Sequence, residues 1–497
     1  MGFLSAFFSK KETSKQSSKK SSQKAYASIK KNFDFIQTTL HHSDDLQMRK
    51  LDDESAIIYF NTLTDTKLVH DRIMSADTRT ITGVDLAESE IETTDDLNNA
   101  VSALIDGYTV LCKNGSQRLY LVNTTAHYDR QIDEPDNEKI IRGAHNGFNE
   151  NLKTNINLLR KSIESPDLCV NYYRIGNMTR KKTAMIYMKG IANPAIINAV
   201  EERLRTINVD MVMSPGFIEE FIENSSFSPF PQALGTERPD RTMGNLMEGR
   251  IVLMTEGAPT ALILPVTFFA FYQSPDDYNN RAISGTFTRI LRIFSFMVAI
   301  VLPSFYIAVA GHNFEVIPDE LVLPLKTSVN EIPYPPLFEA LVMVLTIELI
   351  REAGIRLPTP VGQTIGIVGG LVIGNAVVMA GLISNIMIVI IAVTAISSFV
   401  VPSNEMSNAV RILTFPLIFM SSMFGFVGIM FSLLFLLIHL CKLESFGTAY
   451  FAPVAPLNIR NLKDSIIRLP LWMHNKRPRD AQPEQLQTQK RSRKWDK

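Results

Sequence analysis

Apolar positions along this chain change their rhythm near Arg292. Before it they come in short runs at strand or helix spacing, separated by polar turns. After it, long uncharged runs alternate with short polar loops. In the first part, "SAIIYF" (Ser55–Phe60) is β-branched and aromatic and predicts a strand. "DDLNNAVSALIDG" (Asp95–Gly107) predicts an amphipathic helix that stops at glycine. In "YTVLCKNGSQRLYLV" (Tyr108–Val122), Asn114-Gly115 lies between two strand-like runs and signals a hairpin. "KTNINLLRKSI" reads as helix, "CVNYYRI" and "TAMIYMKG" as a second strand pair, and "NPAIINAVEERLRTI" as a helix with Pro194 in its first turn. Helix, strand pair, helix, strand pair implies two small α/β subdomains, over residues 26–165 and 166–245. Residues 1–25 are Lys/Ser-rich without periodicity and read as a disordered tail. From Ser226 the chain is dense in Pro and Gly. The run Ala261–Tyr272 contains Pro265 and is too short to cross a bilayer, so residues 246–285 read as a juxtamembrane collar.

Beyond the collar the pattern predicts an all-α polytopic membrane domain over residues 286–445. A hydrocarbon core of about 30 Å needs roughly 20 helical residues. Spans are expected at about 293–311, 365–383, 386–401 and 412–440, the last with Pro416 as its kink. No residue between Arg356 and Glu405 is charged. The awkward helix is 337–356, which carries Glu339, Glu348, Arg351 and Glu352 on a polar face. Such charges face either a protein interior or water, so this helix is amphipathic or re-entrant. Arg281, Arg289 and Arg292 precede the first span, and the tail 446–497 is basic. Both ends are therefore expected on the cytoplasmic side, which requires an even number of crossings; four is the expectation.

"PTPVGQTIGIVGGLVIGNAVVMAGLIS" (Pro358–Ser384) is the most unusual stretch. Gly366, Gly370 and Gly374 repeat every four residues, with Gly362 in register, and form a smooth stripe for close helix packing. That packing lies either within one chain or between copies. Gln363 and Asn375 are costly in lipid unless paired, and are solvated if they border a water-filled path.

Chemistry is otherwise sparse. Lys+Arg and Asp+Glu are both 50, so net charge points to no acidic or basic partner and gives no argument for nucleic acid. The three cysteines are too scattered for a disulfide framework or a zinc site. The eight histidines lack ligand spacing, and P-loop, HExxH and GxSxG patterns are absent, so neither an enzyme nor a cofactor is expected.

Three stretches together carry a resemblance: "RGAHNGFNENLKTNINLLRKSI", the segment from "SPFPQALGTERPDRTMGNLMEGRIVLMTEGAPT" to "SPDDY", and "YPPLFEALVMVLTIELIREAGIRLPTPVGQTIGIVGGLVIGNAVVMAGLIS". They closely resemble the A subunits of GerA-family spore germination (germinant) receptors. The resemblance covers nearly the whole chain from about residue 30 to 470. It implies a cytoplasmic two-part N-terminal region and a multi-pass domain in the spore inner membrane. The implied partners are a B subunit similar to amino-acid transporters, a C subunit that is a lipoprotein, further copies of the A subunit, and the lipid bilayer. The implied activity is an oligomeric ligand-gated cation channel that triggers germination. On this chain the gate would be the 362–375 helix, with Gln363, Thr364, Ile365, Val368, Val372 and Asn375 as pore or gate candidates and Gly362, Gly366, Gly370 and Gly374 as packing positions. Glycine-broken apolar segments leave a secondary transporter as the alternative, and a membrane-anchored scaffold as another.

Overall fold

The computed structural model describes residues 23–74, 91–126, 135, 138–358, 361–362, 370, 374–458 and 462–489. The chain divides into two compact units, Met1–His127 and Tyr128–Lys497.

The first unit is one antiparallel sheet with two longer helices and a short helical turn over residues 66–74. Helix α1 (Ile29–Thr39) precedes β1 (Leu46–Lys50) and β2 (Ser55–Phe60). Then come β3 (Ile91–Thr94), α2 (Leu97–Ile105), β4 (Tyr108–Lys113) and β5 (Leu119–Asn123). The sheet order is β1-β2-β4-β5-β3. β2 lies inside the sheet and is buried along its whole length, which explains why its sequence does not alternate. α2 starts where Asp96 accepts a hydrogen bond from the Asn98 amide and ends before Gly107, whose φ of +92° an L side chain rarely adopts.

The second unit opens with α3 (Leu152–Ile163), then β6 (Leu168–Ile175), β7 (Lys181–Met188), α4 (Pro194–Thr206), α5 (Pro215–Ile222), β8 (Leu234–Thr236), α6 (Pro239–Glu248), β9 (Ile251–Thr255) and β10 (Ala261–Leu264). Its sheet runs β6-β7-β9-β10-β8, every neighbouring pair antiparallel. One face is covered by α4 and α5 through Ile196, Val200, Ile218 and Ile222. The other is covered by α3 and by helices of the C-terminal half.

Two expected boundaries move. The division between subdomains falls at His127/Tyr128, not near residue 165, because α3 buries Leu152, Ile156 and Leu159 in the core of the second sheet. The expected collar supplies β9, which sits between β7 and β10, and then a fully buried short helix at Phe268–Tyr272.

The helical region follows: α7 (Pro275–Asn279), α8 (Ala282–Gly311), α9 (Asp319–Asn330), α10 (Pro336–Arg356), α11 (Gly374–Met379), α12 (Asn385–Phe399), α13 (Asn404–Phe424) and α14 (Phe426–Lys442). Two of these, α8 and α13, are long and apolar enough to cross a membrane, and α12 and α14 are shorter apolar helices. The run expected as one span, 412–440, is two helices. α13 continues through Pro416, and the break comes at Gly425, with φ +59° and ψ −136°, a conformation open only to glycine.

The C-terminal segment is not a loose tail. A hairpin of β11 (Glu444–Ser445) and β12 (Thr448–Ala449) follows α14. Tyr450 is fully buried, and its hydroxyl donates to Pro231 O at 2.7 Å. Arg250 pairs with Asp480 at 2.6 Å, and Arg477 Nε donates to Met247 O at 2.6 Å. Aromatic rings lock the junction: Phe268 lies 5.4 Å from Phe296 of α8, 5.5 Å from Phe451 and 6.1 Å from Phe230, all near edge-on. Such pairs each contribute about 0.5–1.5 kcal/mol beyond area burial.

A candidate functional site in the helical region

The direction of each helix follows from what it touches. At the base, the start of α8 and the end of α14 lie beside the second sheet: His439 Nε2 lies 2.8 Å from Ser228 Oγ, and Arg292 of α8 reaches Tyr272 O at 3.1 Å. Met406 and Ala409 near the start of α13 are buried in the same core. At the far end, His312 beyond α8 meets Ser422 O at 2.8 Å and packs against Gly425. Tyr306 OH lies 3.2 Å from Ser384 Oγ at the start of α12, where Glu339 of α10 accepts from the Ser384 amide. Arg351, nearer the end of α10, meets Ser398 near the end of α12. So α8 and α13 run away from the second sheet, and α10, α12 and α14 run back toward it. Among the described residues five helices, α8, α10, α12, α13 and α14, thus run along the bundle. The 337–356 helix, expected as amphipathic or re-entrant, packs within the bundle, where Ala340, Met343 and Val344 are buried among the other helices.

Between α8, α10, α12 and α13 lies a cavity of about 30 Å³. Its polar lining is Glu348, Arg351, Thr394, Ser398, Arg411 and Thr414. Arg411 Nη1 reaches one oxygen of Glu348 at 2.9 Å, and Arg351 Nη1 reaches the other at 3.5 Å. Arg351 also donates to Ser398 Oγ at 3.1 Å and stacks 4.3 Å from the Phe399 ring centroid. Its Nε is buried with no partner among protein atoms. Charge at this depth in an apolar bundle is costly unless it is paired, and it marks a site by default.

A second charged network sits at the base, where α7 turns into α8. Asp277 is 1% exposed and accepts from Arg289 Nε and Arg292 Nη1, each at 2.9 Å. Gly285 lies so close that an added Cβ would meet Asp277 O at 2.7 Å. Asp464 pairs with Arg289 and accepts from Tyr278 OH at 3.0 Å. Burial, and secondarily Asp464, raise the Tyr278 hydroxyl far above its ordinary value. Arg468 donates to Tyr278 O at 2.9 Å, and Glu248 with Arg250 and Asp480 continues the network. The carboxylates of Glu248, Asp277, Asp464 and Asp480 are thus each paired with at least one guanidinium, from Arg250, Arg289 or Arg292.

Of the residues singled out in the sequence, Glu348 and Arg351 meet in the cavity. Glu339 lies apart at the far end, and Glu352 forms an exposed pair with Arg356 at 2.6 Å. The single polar face is thus three separate environments. Gly362 approaches Gly354 of α10, where an added Cβ would meet the carbonyl oxygen at 2.9 Å. An added Cβ at Gly370 would meet nothing within 4 Å. Gly374 and Asn375 open α11. Gln363, Thr364, Ile365, Gly366, Val368 and Val372 lie outside the described residues. Sequence reasoning missed Arg411 and Asp464. Arg411 had a signal, a lone charge within an apolar run; Asp464 had none.

Residues 29–480 match the family described as Bacillus/Clostridium GerA spore germination protein, and the chain belongs to it. Spore germination protein KA of Bacillus subtilis (strain 168) is 35% identical over 440 residues, 86% of this chain and 81% of that protein. Spore germination protein B1 of the same organism is 34% identical over 477 residues, 92% and 98% of the two chains. A third relative there, 37% identical over 393 residues, 79% of this chain and 77% of its own, is named the uncharacterized membrane protein YfkQ. Among solved structures, the N-terminal domain of the A subunit of the Bacillus megaterium spore germinant receptor GerK3 aligns with 50% of this chain and 98% of its own, at 25% identity and a TM-score of 0.39. The family is that of spore germination receptor A subunits, and none of these names states an enzymatic activity.

Proposed function

We propose that the protein is the A subunit of a nutrient germinant receptor in the spore inner membrane. Its two α/β parts and its C-terminal segment face the cytoplasm, and its helical region crosses the bilayer. Copies of the chain assemble around an axis with B and C subunits, and the assembly is a ligand-gated cation channel. The segment 362–375 lines the path. Gln363, Thr364, Ile365, Val368, Val372 and Asn375 form its wall, and Gly362, Gly366, Gly370 and Gly374 permit close packing.

The observation that carries this reading is the segment itself: no charge between Arg356 and Glu405, and glycines at every fourth position beside embedded amides. Family membership supports the receptor role. The packing of the C-terminal segment on the second sheet supports a common side for both.

The test is cysteine substitution along Val361–Asn375 in the assembled receptor. Positions on one helix face should react with a water-borne thiol reagent and alter cation release from spores. Silence at every position in a folded complex refutes the path.

A further inference from the structure

In the network at the base of the helical region, every carboxylate has a guanidinium partner. The cavity differs. Among the described residues Glu348 is the only carboxylate lining it, and both Arg351 and Arg411 bind that one group. The undescribed residues of the neighbouring 357–384 segment add no charge. An excess positive charge in a low-dielectric bundle is expensive, and a water molecule would leave it uncompensated.

The donors at hand also have one character. Thr394 Oγ1 donates to Ile390 O at 2.8 Å, Thr414 Oγ1 to Val410 O at 3.0 Å, and Ser398 Oγ to Ala395 O at 2.8 Å. The hydroxyl protons are therefore committed to the backbone. What remains is guanidinium N–H, including the partnerless Nε of Arg351, whose side chain is 10% exposed. Such a lining favours an anion over a cation. At about 30 Å³ the cavity takes one particle the size of a water molecule.

We propose that this cavity binds a single small monovalent anion of halide size, held between Arg351 of α10 and Arg411 of α13. The anion completes the charge balance and ties an inward helix to an outward one. The proposal goes beyond the channel reading and does not rest on it.

The test uses the purified full-length chain in detergent, with its melting temperature followed in sodium chloride and in sodium gluconate at equal ionic strength. Gluconate is too large for the cavity. The wild type should gain stability with chloride and saturate. Arg411→Gln leaves one cation against one carboxylate and should lose the chloride response. Glu348→Gln leaves two cations and should respond at a roughly tenfold lower chloride concentration, as expected when one adjacent opposite charge is removed. If Arg411→Gln does not fold, Arg351→Gln makes the same test. Indifference of the wild type to chloride overturns the proposal. So does a loss of stability that is equal in both salts for every variant, which is what a purely structural ion network would give.

Discussion

Asp277 is the residue whose removal should be felt most widely. It is 1% exposed and takes both Arg289 and Arg292, while its neighbour Ser274 starts α7 with a reciprocal cap to its carboxylate. Replacing it by asparagine keeps the shape and removes the one negative charge that both guanidiniums share. Arg289 retains Asp464, but Arg292 keeps only the Tyr272 carbonyl. Breaking a buried pair from one side typically costs about 3–5 kcal/mol, because the remaining charge stays buried. At about 2 °C per kcal/mol for a unit of this size, Asp277→Asn should lower the melting temperature by roughly 6–10 °C. The assay is thermal unfolding of the purified chain in detergent, followed by tryptophan fluorescence. The double variant Asp277→Asn/Arg292→Gln supplies the decisive comparison. It restores the balance and should recover at least half of the loss, although it removes one more hydrogen-bonding group. If the double variant is less stable than Asp277→Asn, uncompensated charge is not the cause and the reasoning fails.

Other outcomes follow from the same geometry. Gly428 faces Met420 across the reversal at Gly425, and an added Cβ would lie 2.0 Å from the Met420 carbonyl oxygen. Gly428→Ala should therefore cost about 3 kcal/mol in thermal unfolding, whereas Gly311→Ala, with nothing within 4 Å, should be nearly neutral. Burial, with Glu405 and Glu223 nearby, pushes the Glu219 carboxyl up to about 8. A raised carboxyl contributes stability that is full below its unfolded value and is lost as pH rises through 8. Glu219→Gln should accordingly melt higher than wild type at pH 9 and flatten the decline between pH 5 and 9. Cys112 and Cys169 are buried and Cys441 is exposed, and burial raises the Cys112 thiol to about 12. A maleimide should label one site in the native chain and three after denaturation, as counted by intact mass; labelling of Cys112 in the native state would contradict the first sheet's packing.

What the sequence disclosed was local. Asn114-Gly115 marked the β4–β5 hairpin, and Asn193-Pro194 marked the start of α4, because turn and cap chemistry is written in neighbouring residues. Pairings made at long range were hidden. Val252–Thr255 pairs with Thr183–Ile186, and nothing in either run names the other. The run Ala261–Tyr272 read as a membrane-surface segment because burial in protein and burial in lipid select the same residues. Here β10 and Phe268–Tyr272 are buried in protein. Within 412–440 the eye goes to Pro416, yet a helix tolerates that proline, whereas the backbone reversal needed Gly425. In the cavity, Glu348 and Arg351 were visible as helix-face neighbours, but Arg411 came from a helix whose direction only the fold supplies.

The docking of Tyr450 and Asp480 onto the second sheet has a consequence for biosynthesis. A ribosome releases this sheet's strands long before it makes the residues that seal their core. In the proposed topology the N-terminal half waits, incompletely packed, until every helix of the bundle has been made and inserted. Its final closure can therefore serve as proof that the last helix has come home on the correct side.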